Sequence, residues 1–194
     1  MIPKEQIRLL ETWKKGIFEE LSISEIMGIS GKKTKPWVFN ALKLLTKHNL
    51  LISKRKANIN LYKLNLSNPF LIQTLQYLEA QNSLGFLHLD TVTEFIRKVP
   101  VKNYCLLAFD VEKKSELNAC FLIKNKEVEG QIKPFVNNSK SKVNLHYITY
   151  DDFVKMLLTE EENIAKEVFR SNLLFFNGDI YYELIKEAYK NGFR

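Results

Sequence analysis

Acidic residues are missing from a long piece of this chain. Between Glu25 and Glu79 there are 53 consecutive positions without Asp or Glu. Cysteine is scarce as well. Cys105 and Cys120 are the only two, and both lie in apolar, strand-like runs. That excludes a disulfide scaffold and reads as two reduced core thiols. His48, His88 and His146 stand apart from one another and from both cysteines, so no zinc-ligand spacing exists. No secretory apolar segment is found, and no apolar run is long enough to span a membrane. An intracellular, cytoplasmic protein is expected. What is present, 194 residues with 45% hydrophobic and 26% charged, is the composition of a soluble globular protein. The length suits one large or two small domains.

Charge is unevenly spread. Residues 1–66 hold 13 Lys and Arg against 5 Asp and Glu, a net of +8. Residues 67–194 hold 16 against 17, a net of −1. Nearly all the excess of the +7 chain therefore sits in its first third, which favours a nucleic-acid-binding module joined to a neutral one.

The stretch GKKTKPWVFNALKLLTKHNLLISKRKANINLYKL, residues 31–64, carries that excess. Val38, Ala41, Leu42 and Leu45 recur at i, i+3, i+4 and i+7, one apolar helical face. Thr34 can cap this helix and Pro36 suits its first turn. Lys33, Lys35, Trp37, Asn40, Lys43 and Lys47 fall off the apolar face, as does Phe39. Leu51-Ile52 and Ile59 to Tyr62 read as strands, with Ser53 to Asn58 as the turn between them. Upstream, Gln6, Ile7, Leu9, Leu10 and Trp13 predict a first helix. Leu21 to Met27 predicts a second, capped by Ser22 or Ser24. Gly28-Ile29-Ser30-Gly31 reads as a turn. Helices followed by a hairpin also occur in protein-binding modules, but the missing acids favour a phosphate-lined groove.

SISEIMGIS, then WVFNALKLLTKHNLL, then the closing LYKLNLSNP resemble the winged helix-turn-helix domains of archaeal and bacterial transcription regulators. The resemblance covers about 65 residues and is a pattern rather than a signature. It implies that the N-terminal end of the third helix enters a major groove. Lys32, Lys33, Thr34, Lys35, Trp37, Asn40 and Lys43 would then face DNA. Asn40 can bond an adenine edge, and the lysines position the protein on phosphates. Lys54, Arg55 and Lys56 at the wing tip would enter a minor groove or grip the backbone. Trp37 suits a thymine methyl or sugar, or equally another protein surface, and Phe39 suits a dimer contact.

Ser67-Asn68-Pro69 punctuates the chain, and Phe70 to Leu78 reads as an amphipathic connecting helix that is rigid or pairs with its copy. Beyond it, helix is expected over 91–99, buried strands over 104–109 and 118–123, and a weak helix over 127–136 interrupted by Pro134. A strand is expected over 143–148 and a helix from the cap Thr149 to about Leu158. Thr159 with Glu162 forms a capping-box pattern for the next helix, whose start Glu160, Glu161 and Glu162 would stabilise through its dipole. A short strand at Leu173 to Phe176, a turn at Asn177-Gly178 and a last helix over 180–189 close the chain. Mixed strands and helices argue α/β or α+β.

From Val143 onward, VNLHYITYDDFVKMLLTEEENIAKEVFRSNLLFFNGDIYYELIKEA resembles the tail of small prokaryotic nucleotidyltransferases that follow a winged helix. That resemblance extends over residues 85–192. It implies a Gly-Ser phosphate turn, which falls here near Ala108-Phe109. It implies a metal-holding Asp-x-Asp, which falls on Asn118-Ala119-Cys120, and a third carboxylate near Asn144 or His146. None of these is an acid, Asn is neutral, and a thiol is a poor Mg²⁺ ligand. Without the glycine the turn approaches phosphate less easily. Ala108, Phe109, Asn118 and Cys120 are therefore expected to mark a vestigial nucleotide site. Asp110, Glu112 and Glu116 read as solvated loop charges rather than substitutes.

The expected fold class is α+β, a winged helix-turn-helix followed by a nucleotidyltransferase-like α/β domain with a small mixed sheet. The expected division is a DNA-binding domain over 1–65, a connecting helix over 66–84 and the transferase-like domain over 85–194. The function expected is a DNA-binding transcription regulator, homodimeric on double-stranded DNA. Its second domain is read as catalytically inactive, without metal or cofactor, serving as a scaffold, dimerisation surface or ligand sensor. Two alternatives stand beside it, an active nucleotidyltransferase and a protein-binding adaptor.

Overall fold

The computed structural model describes residues 2–86, 90–100, 103–109, 117–136 and 143–193. Among these the chain is mixed α and β, with a three-stranded and a four-stranded sheet. It divides into two compact units, Met1–Leu78 and Glu79–Arg194.

The first unit opens with α1 (Lys4–Ile7), which passes into a 3₁₀ segment, Arg8–Trp13. The sequence predicts one helix here. Its buried residues explain the tighter winding. Leu9 with Thr12, and Leu10 with Trp13, stack at i, i+3, the repeat of three residues per turn. The Trp13 indole donates to the Glu19 carbonyl at 3.1 Å and holds the following loop. Next comes β1, Leu21–Ser22, too short to be seen in the sequence.

The second helix, α2 (Ile23–Ser30), starts at a full capping box. The Glu25 amide donates to Ser22 Oγ at 3.3 Å, and the Ser22 amide donates to the Glu25 carboxylate at 2.7 Å. These bonds hold the Glu25 carboxyl below its ordinary pKa. The expected turn at Gly28–Gly31 is corrected. The helix runs through Gly28 to Ser30, and only Gly31 takes the left-handed conformation, at φ 65°. One left-handed residue is enough to end the helix, and Gly31 supplies it at the C-terminus.

The third helix, α3 (Lys35–Lys47), buries Val38, Ala41, Leu42 and Leu45 as expected. It ends in a Schellman motif on Asn49, at φ 60°. The Leu50 amide donates to the Leu45 carbonyl at 3.0 Å, and the Asn49 amide to Thr46 at 2.9 Å. The hairpin follows at once as β2 (Leu51–Lys56) and β3 (Ile59–Leu64). The sheet order is β1-β3-β2, all antiparallel. The six-residue turn expected over 53–58 is corrected to two residues, Ala57 and Asn58, because pairing continues to Lys56↔Ile59. Ala57 sits at φ 52°, the positive value such a tight turn requires.

Three asparagines fasten these parts. Asn65 Nδ2 donates to the Asn49 carbonyl at 3.0 Å and to its side-chain oxygen at 3.1 Å, and Asn68 Nδ2 donates to the same carbonyl at 2.9 Å. The end of α3, the end of β3 and the start of α4 (Pro69–Leu84) are thereby tied at one point.

The second unit contains α5 (Asp90–Lys98), β4 (Tyr104–Phe109), β5 (Leu117–Ile123), α6 (Lys126–Val136) and β6 (Val143–Thr149). It continues with α7 (Tyr150–Leu158), α8 (Ile164–Arg170), β7 (Asn172–Phe176) and α9 (Gly178–Lys190). The sheet order is β6-β5-β4-β7, with β5 and β6 parallel and the other pairs antiparallel. One face of the sheet, including Tyr104, Leu106, Ala108, Ala119 and Phe121, packs with Val92 and Phe95 of α5 and Ile132 and Val136 of α6. The opposite face carries Cys105, Leu107, Phe109, Asn118, Cys120 and Leu122, because side chains alternate along a strand.

Helix α6 is not interrupted at Pro134, since Ile132 and Val136 on either side are both buried in that core. The cap proposed at Thr159–Glu162 is also corrected. Asn163 caps α8, accepting from the Ala165 and Lys166 amides at 3.0 and 3.2 Å. Glu162 instead pairs with Arg170, at 2.6 and 2.8 Å. The three glutamates thus precede the helix rather than form its first turn.

Candidate nucleic-acid interface

Helix α3 separates two faces. Opposite its buried stripe run Asn40, Lys43 and Lys47, at i, i+3 and i+7, and all three are exposed. Lys33, Thr34 and Lys35 are exposed at its start, and its first turn has no acidic residue. Thr34 occupies the N-cap position, but its side chain makes no capping bond. The expected side-chain cap is therefore absent, and the first-turn amides are left without it.

Lys32 and Trp37 behave differently from the rest. Lys32 Nζ lies 3.5 Å from the Glu5 carboxylate and 4.8 Å from the centre of the Trp37 ring. Trp37 is half-buried, with this cation on one face. Both residues are thus engaged within the unit, and Lys32 is the least available of the expected contacts. Among the described residues, Lys33, Lys35, Lys43, Lys54 and Lys56 have no carboxylate partner. A cleft of about 350 Å³ lies between the 3₁₀ segment and the end of α2, lined by Arg8, Thr12, Ser30 and Lys32 among others.

The hairpin holds Lys54, Arg55 and Lys56 on β2, next to the turn rather than in it. All three are exposed. Alternation splits them. Lys54 and Lys56 share a face with Ile52, Ile59, Leu61 and Lys63, while Arg55 points to the other side, opposite Asn60. Arg55 Nε donates to the Ala57 carbonyl at 3.3 Å. Lys63 is paired with Glu20 at 3.8 Å. The sequence missed Ile59, 56% exposed at the tip among these lysines. No signal in the sequence marks it, because its place beside Lys54 and Lys56 comes from strand pairing across the two-residue turn.

In the second unit, strand register decides which of the expected vestigial residues meet. Phe109 pairs with Asn118, Asn118 with Asn144, and Cys120 with His146. Asn144 Nδ2 donates to Asn118 Oδ1 at 3.1 Å, and the Phe109 and His146 rings are 5.6 Å apart. Ala108 does not join them. It packs on the opposite face of the sheet against the α5–α6 core. Cys120 is fully buried, which pushes its thiol up to about 12. Burial likewise raises Cys105, and both cysteines are free. Burial lowers His146, with Glu167 opposing the shift. Among the described residues no group of three or more His, Cys, Asp or Glu is placed to hold a metal ion. Asp110, Glu112 and Glu116 lie outside the described residues. No described helix is long and apolar enough to cross a membrane.

Comparison of the chain with protein-family models, with curated proteins and with solved structures found no match.

Proposed function

We propose that the first unit is a winged helix-turn-helix that docks on double-stranded DNA, in a protein that regulates transcription. One observation carries the reading. The outward stripe of α3 and both faces of the adjoining hairpin expose cations in a stretch that contains no acid. A 13-residue helix is about 20 Å long, and a major groove about 12 Å wide admits it. Asn40, the first residue of the outward stripe, is the residue suited to a base edge. Lys33, Lys35 and Lys43 are suited to phosphates, and the uncapped amides at Thr34 favour the same charge. Lys54 and Lys56 lie on one face of the wing and Arg55 on the other. The asparagine tie at Asn49, Asn65 and Asn68 supports the reading by fixing the helix and hairpin to one another.

The second unit is proposed to be of nucleotidyltransferase descent without the transfer reaction. Its support is that register gathers Asn118, Cys120, Asn144 and His146, the positions where the resemblance calls for acids. An amide pair and a protonated, buried thiol hold Mg²⁺ poorly.

Titration of labelled duplex DNA at rising salt tests the first proposal. Six phosphate contacts, from Lys33, Lys35, Lys43, Lys54, Arg55 and Lys56, give a log–log slope of roughly −5. A flat salt response overturns it. Incubation with labelled nucleoside triphosphates and Mg²⁺ or Mn²⁺ tests the second, and reproducible transfer overturns that one.

A further inference from the structure

The cleft between the 3₁₀ segment and the end of α2 lies wholly within the first unit. Its volume of about 350 Å³ falls within the range of small-molecule sites, near the lower end. Thr12 lines it and is only 8% exposed. The Thr12 hydroxyl is fully buried and has no hydrogen-bond partner among the described residues. Buried hydroxyls are nearly always bonded, so this one keeps an unused hydrogen-bonding capacity at the wall of the cleft.

Two cations of the same cleft converge on one carboxylate. Arg8 Nη1 lies 3.9 Å from one oxygen of Glu5, and Lys32 Nζ lies 3.5 Å from the other. Arg8 belongs to the 3₁₀ segment and Lys32 follows α2, so two separate elements bring these charges together. Both contacts are longer than the roughly 2.8 Å of a charge-assisted hydrogen bond, and the Glu5 side chain is 61% exposed. Exposed bridges of this kind are weak, and a carboxylate from solution can take the place of Glu5. Glu11 also lines the cleft, which therefore carries two charges of each sign. A simple anion would meet two acids there, and a simple cation two bases. A zwitterion meets neither conflict. Leu9 and Ile29, the latter 58% exposed, add aliphatic surface to the walls.

We propose that this cleft binds a free α-amino acid with an aliphatic side chain. The ligand carboxylate sits between Arg8 and Lys32, and its ammonium group pairs with Glu5, released from the bridge. The Thr12 hydroxyl, turned into the cleft by rotation about its Cα–Cβ bond, adds a hydrogen bond. The aliphatic side chain packs on Leu9 and Ile29. So few atoms give a modest affinity, with a dissociation constant on the order of 0.1–1 mM. Occupancy is felt at the start of α3, because Lys32 Nζ also lies 4.8 Å from the centre of the Trp37 ring. A use as effector of DNA binding rests on the DNA-binding reading, whereas the binding itself does not.

Calorimetric titration of the full chain with L-isoleucine, without DNA, tests it. The wild-type protein should bind, and tryptophan emission should change over the same range. The same carbon skeleton without its ammonium group, 3-methylpentanoate, and without its carboxylate, 2-methylbutylamine, should each bind at least about tenfold more weakly. Arg8→Gln, at an exposed position, should weaken L-isoleucine binding by a similar factor. Thr12→Val keeps the shape and removes the hydroxyl. It should weaken binding about fivefold and raise the melting temperature of the unliganded protein, since an unpartnered buried hydroxyl is gone. Lys155→Gln, an exposed cation of the other unit, should change nothing. Absence of binding at about 10 mM L-isoleucine overturns the proposal. So does 3-methylpentanoate binding as tightly as L-isoleucine, and so does an affinity that moves with neither Arg8→Gln nor Thr12→Val. A chain that binds DNA and ignores L-isoleucine sinks the cleft and leaves the DNA reading. One that binds L-isoleucine without DNA affinity sinks that reading and leaves the cleft.

Discussion

The two units of this chain use charge in opposite ways. In the second unit acids and bases alternate on exposed surface and meet in pairs, such as Lys98 with Glu94, Lys133 with Glu129 and Arg170 with Glu162. Exposed pairs like these contribute little to stability, but they leave the surface neutral. In the first unit the acids stop at Glu25, and the cations beyond it are exposed along α3 and β2. Interiors do not differ in the same way. Leu42 and Leu45 in one unit and Leu106 and Phe121 in the other are equally buried. The difference between the units therefore lies at the surface, and that is where function is to be sought.

Charge reversal attacks this comparison most directly. Lys35→Glu, Lys43→Glu, Lys54→Glu and Lys56→Glu combined should weaken duplex binding by at least about a thousandfold, since each reversal removes a contact and adds a repulsion. The melting temperature should stay within a few degrees, because all four side chains are exposed and none supports the core. Four reversals in the second unit, at Lys155, Lys166, Lys186 and Lys190, should leave affinity within about threefold, because the counterion term depends on contacts made and not on net charge. Fluorescence anisotropy with one duplex measures both. Equal losses from the two sets would show that only net charge matters, and the α3–wing surface would lose its standing.

The interiors provide the second test. Leu42→Ala and Leu106→Ala each empty a buried site and should each destabilise by about 3 kcal/mol, read from denaturant unfolding. Similar costs with unequal effects on DNA binding would sharpen the contrast. Leu42→Ala loosens the helix proposed to enter the groove, whereas Leu106→Ala lies in the other unit.

Local tethers come next in size. Ser22→Ala removes the oxygen that caps α2 and should cost about 1 kcal/mol. Asn65→Ala removes two hydrogen bonds to Asn49 and should cost about 1–2 kcal/mol. Only the second change should also weaken DNA binding, because it frees the hairpin from α3. If both variants bind DNA equally well, the tie does not hold the two elements in a shared pose.

These cases also show what the sequence could reveal. The apolar stripe of α3, a serine cap at Ser22 or Ser24 and the buried strands β4 and β5 were legible, because each depends on residues within one or two turns or on an unbroken apolar run. The two-residue turn at Ala57 was hidden. Nothing about Ser53, Lys54, Arg55 or Lys56 is strand-like by composition, and their pairing comes from register propagating out of Leu51↔Leu64. The cap at Asn163 was hidden because Glu162 found a stronger partner, Arg170, eight residues away. The asparagine tie was invisible for the same reason, its members being 16 and 19 residues apart. Ala108 was misplaced relative to Phe109 because adjacent residues in a strand face opposite sides, and the face depends on which helices cover the sheet.

His146 yields the smallest predicted effect and the most specific one. Its imidazole lies beside the Phe109 ring and in register with the buried Cys120, so burial disfavours its charged form. Glu167 pulls the other way, but burial is the larger influence and the folded-state pKa is lowered. An unfolded chain then binds a proton more readily than the folded one as pH falls below the ordinary value of 6.5. Stability should decline from there until pH passes below the folded-state value, and then level off. His146→Gln lacks this dependence, so the difference between wild type and variant should shrink as pH falls from about 7.5 to about 5.5. Carboxylates titrate in both proteins and cancel in that difference. A difference that grows toward low pH would mean that Glu167 holds a charged imidazolium in place. The sheet face around Asn118 would then be an electrostatic site instead of a neutral one, and the two units would be more alike than their surfaces indicate.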